Sequence, residues 1–78
     1  MIKWLVLNED DEIRFVCDTR YSAEVESANE RINDVYQGFT PDEHRFVQAK
    51  YVGDTTEKMP YSNLWCGAYD LKNWEVLA

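Results

Sequence analysis

Thiol and imidazole side chains, which are the most versatile nucleophiles, general bases and soft metal ligands, are few in this chain of 78 residues. They are one histidine, His44, and two cysteines, Cys17 and Cys66. Structural zinc sites use ligands paired at short spacing, and these three residues are far apart in sequence. We therefore predict no metal site and no cofactor. We expect the cysteines to be small buried hydrophobes and His44 to be exposed on a helical turn beside Glu43.

Cysteine catalysis makes separate demands. A thiol nucleophile must be exposed, have a lowered pKa and lie within hydrogen-bond reach of a base such as His44. Cys66 is the better candidate, because Gly67 after it would let a substrate approach the backbone closely. A cysteine-dependent enzyme or redox sensor that uses Cys66 or Cys17 is the third of three functional hypotheses.

Sequence patterns for other enzyme chemistry are missing. The three glycines are isolated, so the sequence encodes no phosphate-binding loop. The acidic run 9–12 lacks the alternating ligands of a calcium loop and is typical of a solvated hairpin turn. A catalytic pair of carboxylates needs a cleft, which a domain of this size has little room to build. We predict that the protein is not an enzyme.

The charge of the chain narrows the choice of partner. Fifteen acidic and eight basic side chains give a formal net charge of −7. This charge repels nucleic acids and anionic membranes at long range, although it also keeps a small protein soluble. We therefore expect a protein partner, with no direct binding to nucleic acid or membrane.

Part of this charge is ordered along a predicted helix. Glu26, Glu30 and Asp34 are spaced four apart, which places their carboxylates on one face, each about 6 Å from the next. Under the leading hypothesis they form an anionic surface that occludes a basic groove of a nucleic-acid-processing protein. The acidic run completes this surface with Glu9, Asp10, Asp11 and Glu12. Small acidic inhibitors of restriction or CRISPR complexes act in this way, which is an analogy only. The alternative is an ordinary solvated helix face.

Aromatic residues are concentrated in the C-terminal third, at Tyr61, Trp65, Tyr69 and Trp74. Tryptophan and tyrosine dominate binding hot spots, but a thin core also needs one or two of the tryptophans inside. If the small residues of segment 64–68 face the helix, Trp65 and Tyr69 are exposed on the other side of a strand. The second hypothesis is an adaptor or homodimer that binds through this aromatic hairpin, including Trp74.

The first half of the chain predicts a hairpin followed by a helix. Residues 2–7 and 12–18 are β-rich runs, and alternation in the second turns Cys17 inward. From Ser22 to Gln37 apolar residues recur at steps of three and four. Ser22 is the expected N-cap, Glu24 lies in the first turn, and Gly38 supplies the left-handed residue past the end. The apolar stripe of this helix comprises Val25, Ala28, Ile32, Val35 and Tyr36.

The second half is less regular. Residues 41–52 combine a capping-box start with strand-like alternation, and we expect one helical turn followed by a strand. Residues 63–69 and 74–77 predict a second hairpin. The chain should form a single α+β domain over 1–78, a two-layer fold with a mostly antiparallel sheet in the order ββαβββ, or ββααββ if 41–52 is helical. The apolar segment 2–7 is too short for a signal or membrane helix, so we expect a cytoplasmic protein with reduced thiols.

Overall fold

The structure, a computed structural model, describes residues 2–55, 57–62 and 64–77. Across these residues it is an α+β fold, as predicted. Four strands form one antiparallel sheet in the order β2-β1-β3-β4, and the helix lies between β2 and β3 in the chain. The elements are β1 (Ile2–Leu7), β2 (Ile13–Cys17), α1 (Arg20–Tyr36), β3 (Arg45–Tyr51), a 3-10 turn (Leu71–Asn73) and β4 (Trp74–Val76). In the described part of the chain, no helix has the length and apolarity needed to cross a membrane.

Strand β1 lies inside the sheet and is covered on both faces, because side chains of a strand alternate between them. On one face Leu5 and Leu7 pack with Ala49, Ala68 and Trp74. The opposite face packs against α1 through a second cluster, which comprises Val6, Cys17 and Ala23. Leu64, Ala68 and Leu71 contribute to the first cluster, so the sheet lies between α1 and a C-terminal layer that contains several turns.

Both ends of α1 are capped, but the start differs from the prediction. The N-cap is Thr19, whose hydroxyl accepts a hydrogen bond of 3.1 Å from the Ser22 N–H. The helix therefore begins two residues before Ser22, and Glu24 lies beyond its first turn. The C-terminal prediction is confirmed, since Gly38 has a φ of 83° and its N–H donates to the Val35 carbonyl. This geometry is that of a Schellman motif.

The apolar stripe of α1 faces solvent, in contrast to the usual packing of an amphipathic helix. The buried residues of the helix are Ala23 and Ser27. Trp4, Phe15 and Phe46 are large side chains that line the sheet beneath it. Because these rings fill the space above the sheet, only small helix residues fit against them at close-packed density.

The prediction of a second hairpin is wrong within the described residues. Along the chain the elements follow the order ββαββ, rather than ββαβββ or ββααββ. Trp65 forms an isolated bridge with Lys58, and residues 66–69 form turns, with Gly67 at a φ of 89°. A left-handed glycine cannot continue a regular strand. Strand β4 pairs instead with β3, while Asn63 lies outside the described residues. Residues 45–51 form the expected strand, but residues 41–44 are not helical.

Candidate protein-binding site

The turn between β1 and β2 holds its carboxylates in a fixed arrangement. Buried Asn8 organises it, because its Oδ1 accepts hydrogen bonds of 2.9 Å from the N–H groups of Asp10 and Glu12. Its Nδ2 donates to Glu12 Oε1 at 2.9 Å, and Asp11 adopts a φ of 60°. A polar side chain that bonds its own turn in this way stabilises a single turn conformation. The acidic run is therefore pre-organised.

A second acidic segment lies beside this turn. The Glu43 N–H donates to Glu9 Oε1 at 3.3 Å, and Arg45 Nη2 lies 2.7 Å from Asp11 Oδ1. These contacts join residues that are 34 apart in sequence. They bring exposed Asp42 and Glu43 next to the acidic run, so negative charge is concentrated where β1 ends and β3 begins.

On the other side of the same turn, an open groove of about 460 Å³ joins the acidic run to the aromatic C-terminal segment. Its rim includes Asp11, Glu12 and Asp70, and exposed Tyr69 stands beside them. We call this feature the tip groove; its other lining residues are Ile13, Arg14 and Leu71. Carboxylates next to an aromatic ring are a favourable environment for an arginine or lysine side chain.

Two of the three helix carboxylates are less exposed than those of the turn. Glu30 Oε1 lies 2.8 Å from Arg14 Nη2, and the Glu30 side chain is 17% exposed. Asp34 is half-buried, whereas Glu26 is exposed. The three residues share a face, but Glu30 is already paired with β2, and this pair takes up the arginine that lines the tip groove.

Of the three aromatic residues predicted to bind a partner, Tyr69 presents the most surface. Trp74 is 6% exposed, and its indole N–H donates to the Ala68 carbonyl at 2.7 Å. Trp65 is half-buried and stacks on Tyr51, with ring centroids 4.5 Å apart. The expectation that Trp65 and Tyr69 share one face of a strand is wrong, since this segment is a series of turns. The burial of Trp74 confirms that at least one tryptophan fills the core.

His44 occupies a different environment from the one predicted. It is half-buried, and its Nδ1 is hydrogen-bonded to Ser27 Oγ at 2.6 Å. The sequence carries no spacing signal for this pair, because the two residues come from different elements. Ser27 is 4% exposed, so its hydroxyl lies beneath the helix and the pair ties α1 to the start of β3.

The cysteines lie apart from one another, and both are free thiols. Cys17 is buried under α1, as predicted, and its burial raises the pKa of the thiol, with a smaller contribution from the carboxylates of Glu26 and Asp18. Cys66 is half-buried in the C-terminal layer. Across the residues that the structure describes, no three side chains of His, Cys, Asp or Glu are grouped as metal ligands.

Comparisons of this chain with protein-family models, curated proteins and solved structures found no match.

Proposed function

We propose that this protein binds a basic surface of a nucleic-acid-processing protein or complex and occludes it, acting through the tip groove. The observation that carries the proposal is the tip groove itself, where Glu12 and Asp70 lie beside Tyr69. An arginine or lysine of the partner would enter the groove, with its charge facing the carboxylates and its stem against the ring. This function needs no chemistry from the protein and is consistent with a cytoplasmic location.

The charge of the molecule supports the same proposal. A net charge of −7 attracts a basic surface over distances up to about a Debye length, which speeds association and makes it sensitive to salt. The hydrogen bonds from Asn8 fix the acidic run before binding. Less conformational entropy is then lost when a partner docks.

Affinity capture from the native host tests the proposal. The tagged protein is incubated with lysate at low salt, and bound proteins are eluted by a salt gradient or by excess duplex DNA. We expect a basic nucleic-acid-binding protein that elutes at moderate salt and is displaced by DNA, because DNA and the tip groove compete for one surface. A partner that resists both salt and DNA would contradict the proposal.

A matched pair of double variants distinguishes the effect of the groove carboxylates on binding from the effect of net charge. The groove variant combines Glu12→Gln and Asp70→Asn, whose amide oxygens can still accept the hydrogen bonds from Asn8 Nδ2 and the Lys72 N–H. The control combines Asp54→Asn and Glu57→Gln, two exposed positions away from the groove. Both variants lose the same charge, so only the groove variant should elute earlier and bind about tenfold more weakly or worse. Equal losses in both variants would show that net charge alone matters.

A further inference from the structure

The side of α1 that faces away from the sheet is apolar and exposed, and we call it the outer face. Tyr36 is 87% exposed, Tyr21 76%, and Ile32 55%. All of its residues fall on one stripe, because they recur at steps of three and four along the helix. The outer face comprises Tyr21, Val25, Ala28, Ile32, Val35 and Tyr36.

The area of the outer face suits a stable interface. An aromatic side chain presents roughly 150–250 Å², so the two tyrosines alone expose on the order of 300 Å². The aliphatic residues Val25, Ile32 and Val35, which are 38%, 55% and 62% exposed, extend this patch. The total is of the order of the ~800 Å² that each partner contributes to a standard protein interface. Monomeric proteins rarely leave so much contiguous apolar surface uncovered.

We propose that the outer face docks on the outer face of a second copy of this chain, with the two helices antiparallel. The order of residues along the face is close to symmetric on reversal. When the helix is reversed, Tyr21 takes the place of Tyr36 and Val25 that of Ile32. Ala28 then lies near the twofold axis, where a small side chain lets two helices approach closely. An isologous dimer requires this kind of self-complementary surface.

Charges beside the outer face fit the same arrangement. Glu24 and Arg31 are exposed and lie on one flank of the stripe, seven residues apart. In an antiparallel pair of helices, this flank of one copy lies against the same flank of the other copy, running in the opposite direction. Glu24 of each copy is then close to Arg31 of the other. Glu24 pairs with Arg20 within the chain, at 3.0 Å, and that exposed contact can be shared or exchanged at little cost.

The two ends of the molecule also differ in charge. The end where α1 begins carries Lys3, Arg20 and Lys50, and Asp18, Glu24 and Glu75 lie beside them, so this end is close to neutral. The other end carries the acidic run, next to the register pair Leu7 and Arg45. Antiparallel docking places this nearly neutral end of one copy beside the acidic end of the other and keeps the two acidic ends apart, which limits the repulsion that a net charge of −7 would otherwise produce.

Sedimentation equilibrium of the full chain over a micromolar concentration series tests the dimer. We expect the wild type to change from monomer to dimer as concentration rises, and Ile32→Glu to remain monomeric throughout. Tyr36→Ser should weaken the dimer at least tenfold, whereas the control Tyr61→Ser, at a fully exposed position outside the helix, should leave it unchanged. A wild type that stays monomeric, or equal effects of the two tyrosine variants, would overturn the proposal.

Charge reversal tests the antiparallel arrangement without touching the core. Arg31→Glu brings like charges together across the twofold axis and should weaken the dimer roughly tenfold, because two pairs are lost by symmetry. Adding Glu24→Arg should restore the affinity. Failure of this rescue would exclude the antiparallel pairing, since the flank that carries both residues meets itself only in that orientation. Circular dichroism of dilute samples would verify that each variant is folded.

Discussion

Cys17 lies at the end of β2, covered by α1, in a position that suits a neutral thiol better than a thiolate. Burial raises the pKa of the thiol, and the carboxylates of Glu26 and Asp18 raise it further because they repel the negative sulfur. The same cover limits access by reagents. These two effects work against a nucleophilic role for Cys17, and they make it a probe of how tightly α1 sits on the sheet.

Stability at alkaline pH should depend on Cys17. The unfolded thiol ionises near its ordinary pKa of 9.0, whereas the folded thiol holds its proton to higher pH. Between these two pKa values the unfolded state loses its proton first, so stability present below pH 9 is lost as pH rises. The free energy of unfolding from urea titrations should fall more steeply above pH 9 in wild type than in Cys17→Ala. Parallel curves for the two proteins would contradict this account.

Single residues could be predicted where local geometry decides their role. Gly38 was identified because a helix end needs a left-handed residue, and Cys17 because alternation in a strand determines which way it points. Ser22 was wrong as N-cap because Thr19, three residues earlier, offers an equivalent hydroxyl. The hydrogen bond of His44 to Ser27 was missed because its partner belongs to another element.

At the scale of elements, α1 is fastened to the sheet by small and polar residues. Ala23 and Ser27 contact the sheet, and the ion pair between Glu30 and Arg14 joins α1 to β2. The hydrogen bond of Ser27 to His44 then ties the middle of the helix to the start of β3. Because the residues that α1 itself buries are only Ala23 and Ser27, each polar tie accounts for a larger share of the docking free energy.

Removing one of these ties should be measurable. Ser27→Ala leaves His44 Nδ1 without its partner and should lower the free energy of unfolding by about 1 kcal/mol in urea titrations. In a His44→Ala background the same substitution should cost much less, because the bond is already gone. Identical costs in the two backgrounds would show that the hydrogen bond contributes nothing and that Ser27 matters only through packing.

Helices and strands were predicted well where the sequence periodicity alone determines the element, and poorly where tertiary packing determines it. The first hairpin and the strand at residues 45–51 follow from alternation, and the existence of α1 follows from its period. The period did not reveal which face of α1 is buried, because the rings of Trp4, Phe15 and Phe46 decide that. The second hairpin failed because Gly67 turns the chain and because Trp74 pairs with β3 instead.

At the scale of the whole molecule, the proposed surfaces lie on different sides. The tip groove includes Ile13 and Leu71, which pack with the core on the side of the sheet opposite α1. The outer face of α1 points away from the sheet altogether. A dimer formed through the outer face therefore leaves both tip grooves open, and a dimer could engage two basic sites at once.

Composition predicted this arrangement only in outline. A charge of −7 indicated a basic partner, but the convergence of the acidic run with Tyr69 and Asp70 depends on how residues 64–73 fold over the sheet. That path is set by contacts such as the hydrogen bond of the Trp74 indole to Ala68. No local pattern in the sequence encodes such contacts, because they join residues through the tertiary fold.

Salt should affect binding at the two surfaces differently, since the outer face is apolar and the tip groove is charged. Binding at the tip groove depends on charge attraction and should weaken steeply as sodium chloride is raised. The dimer is stabilised mainly by apolar burial, which simple salt does not screen, and the repulsion between two acidic copies is itself screened. Sedimentation at the salt concentration that elutes the captured partner should therefore still show dimer. Loss of the dimer in step with the partner would mean that charge pairs, rather than the outer face, hold the two copies together.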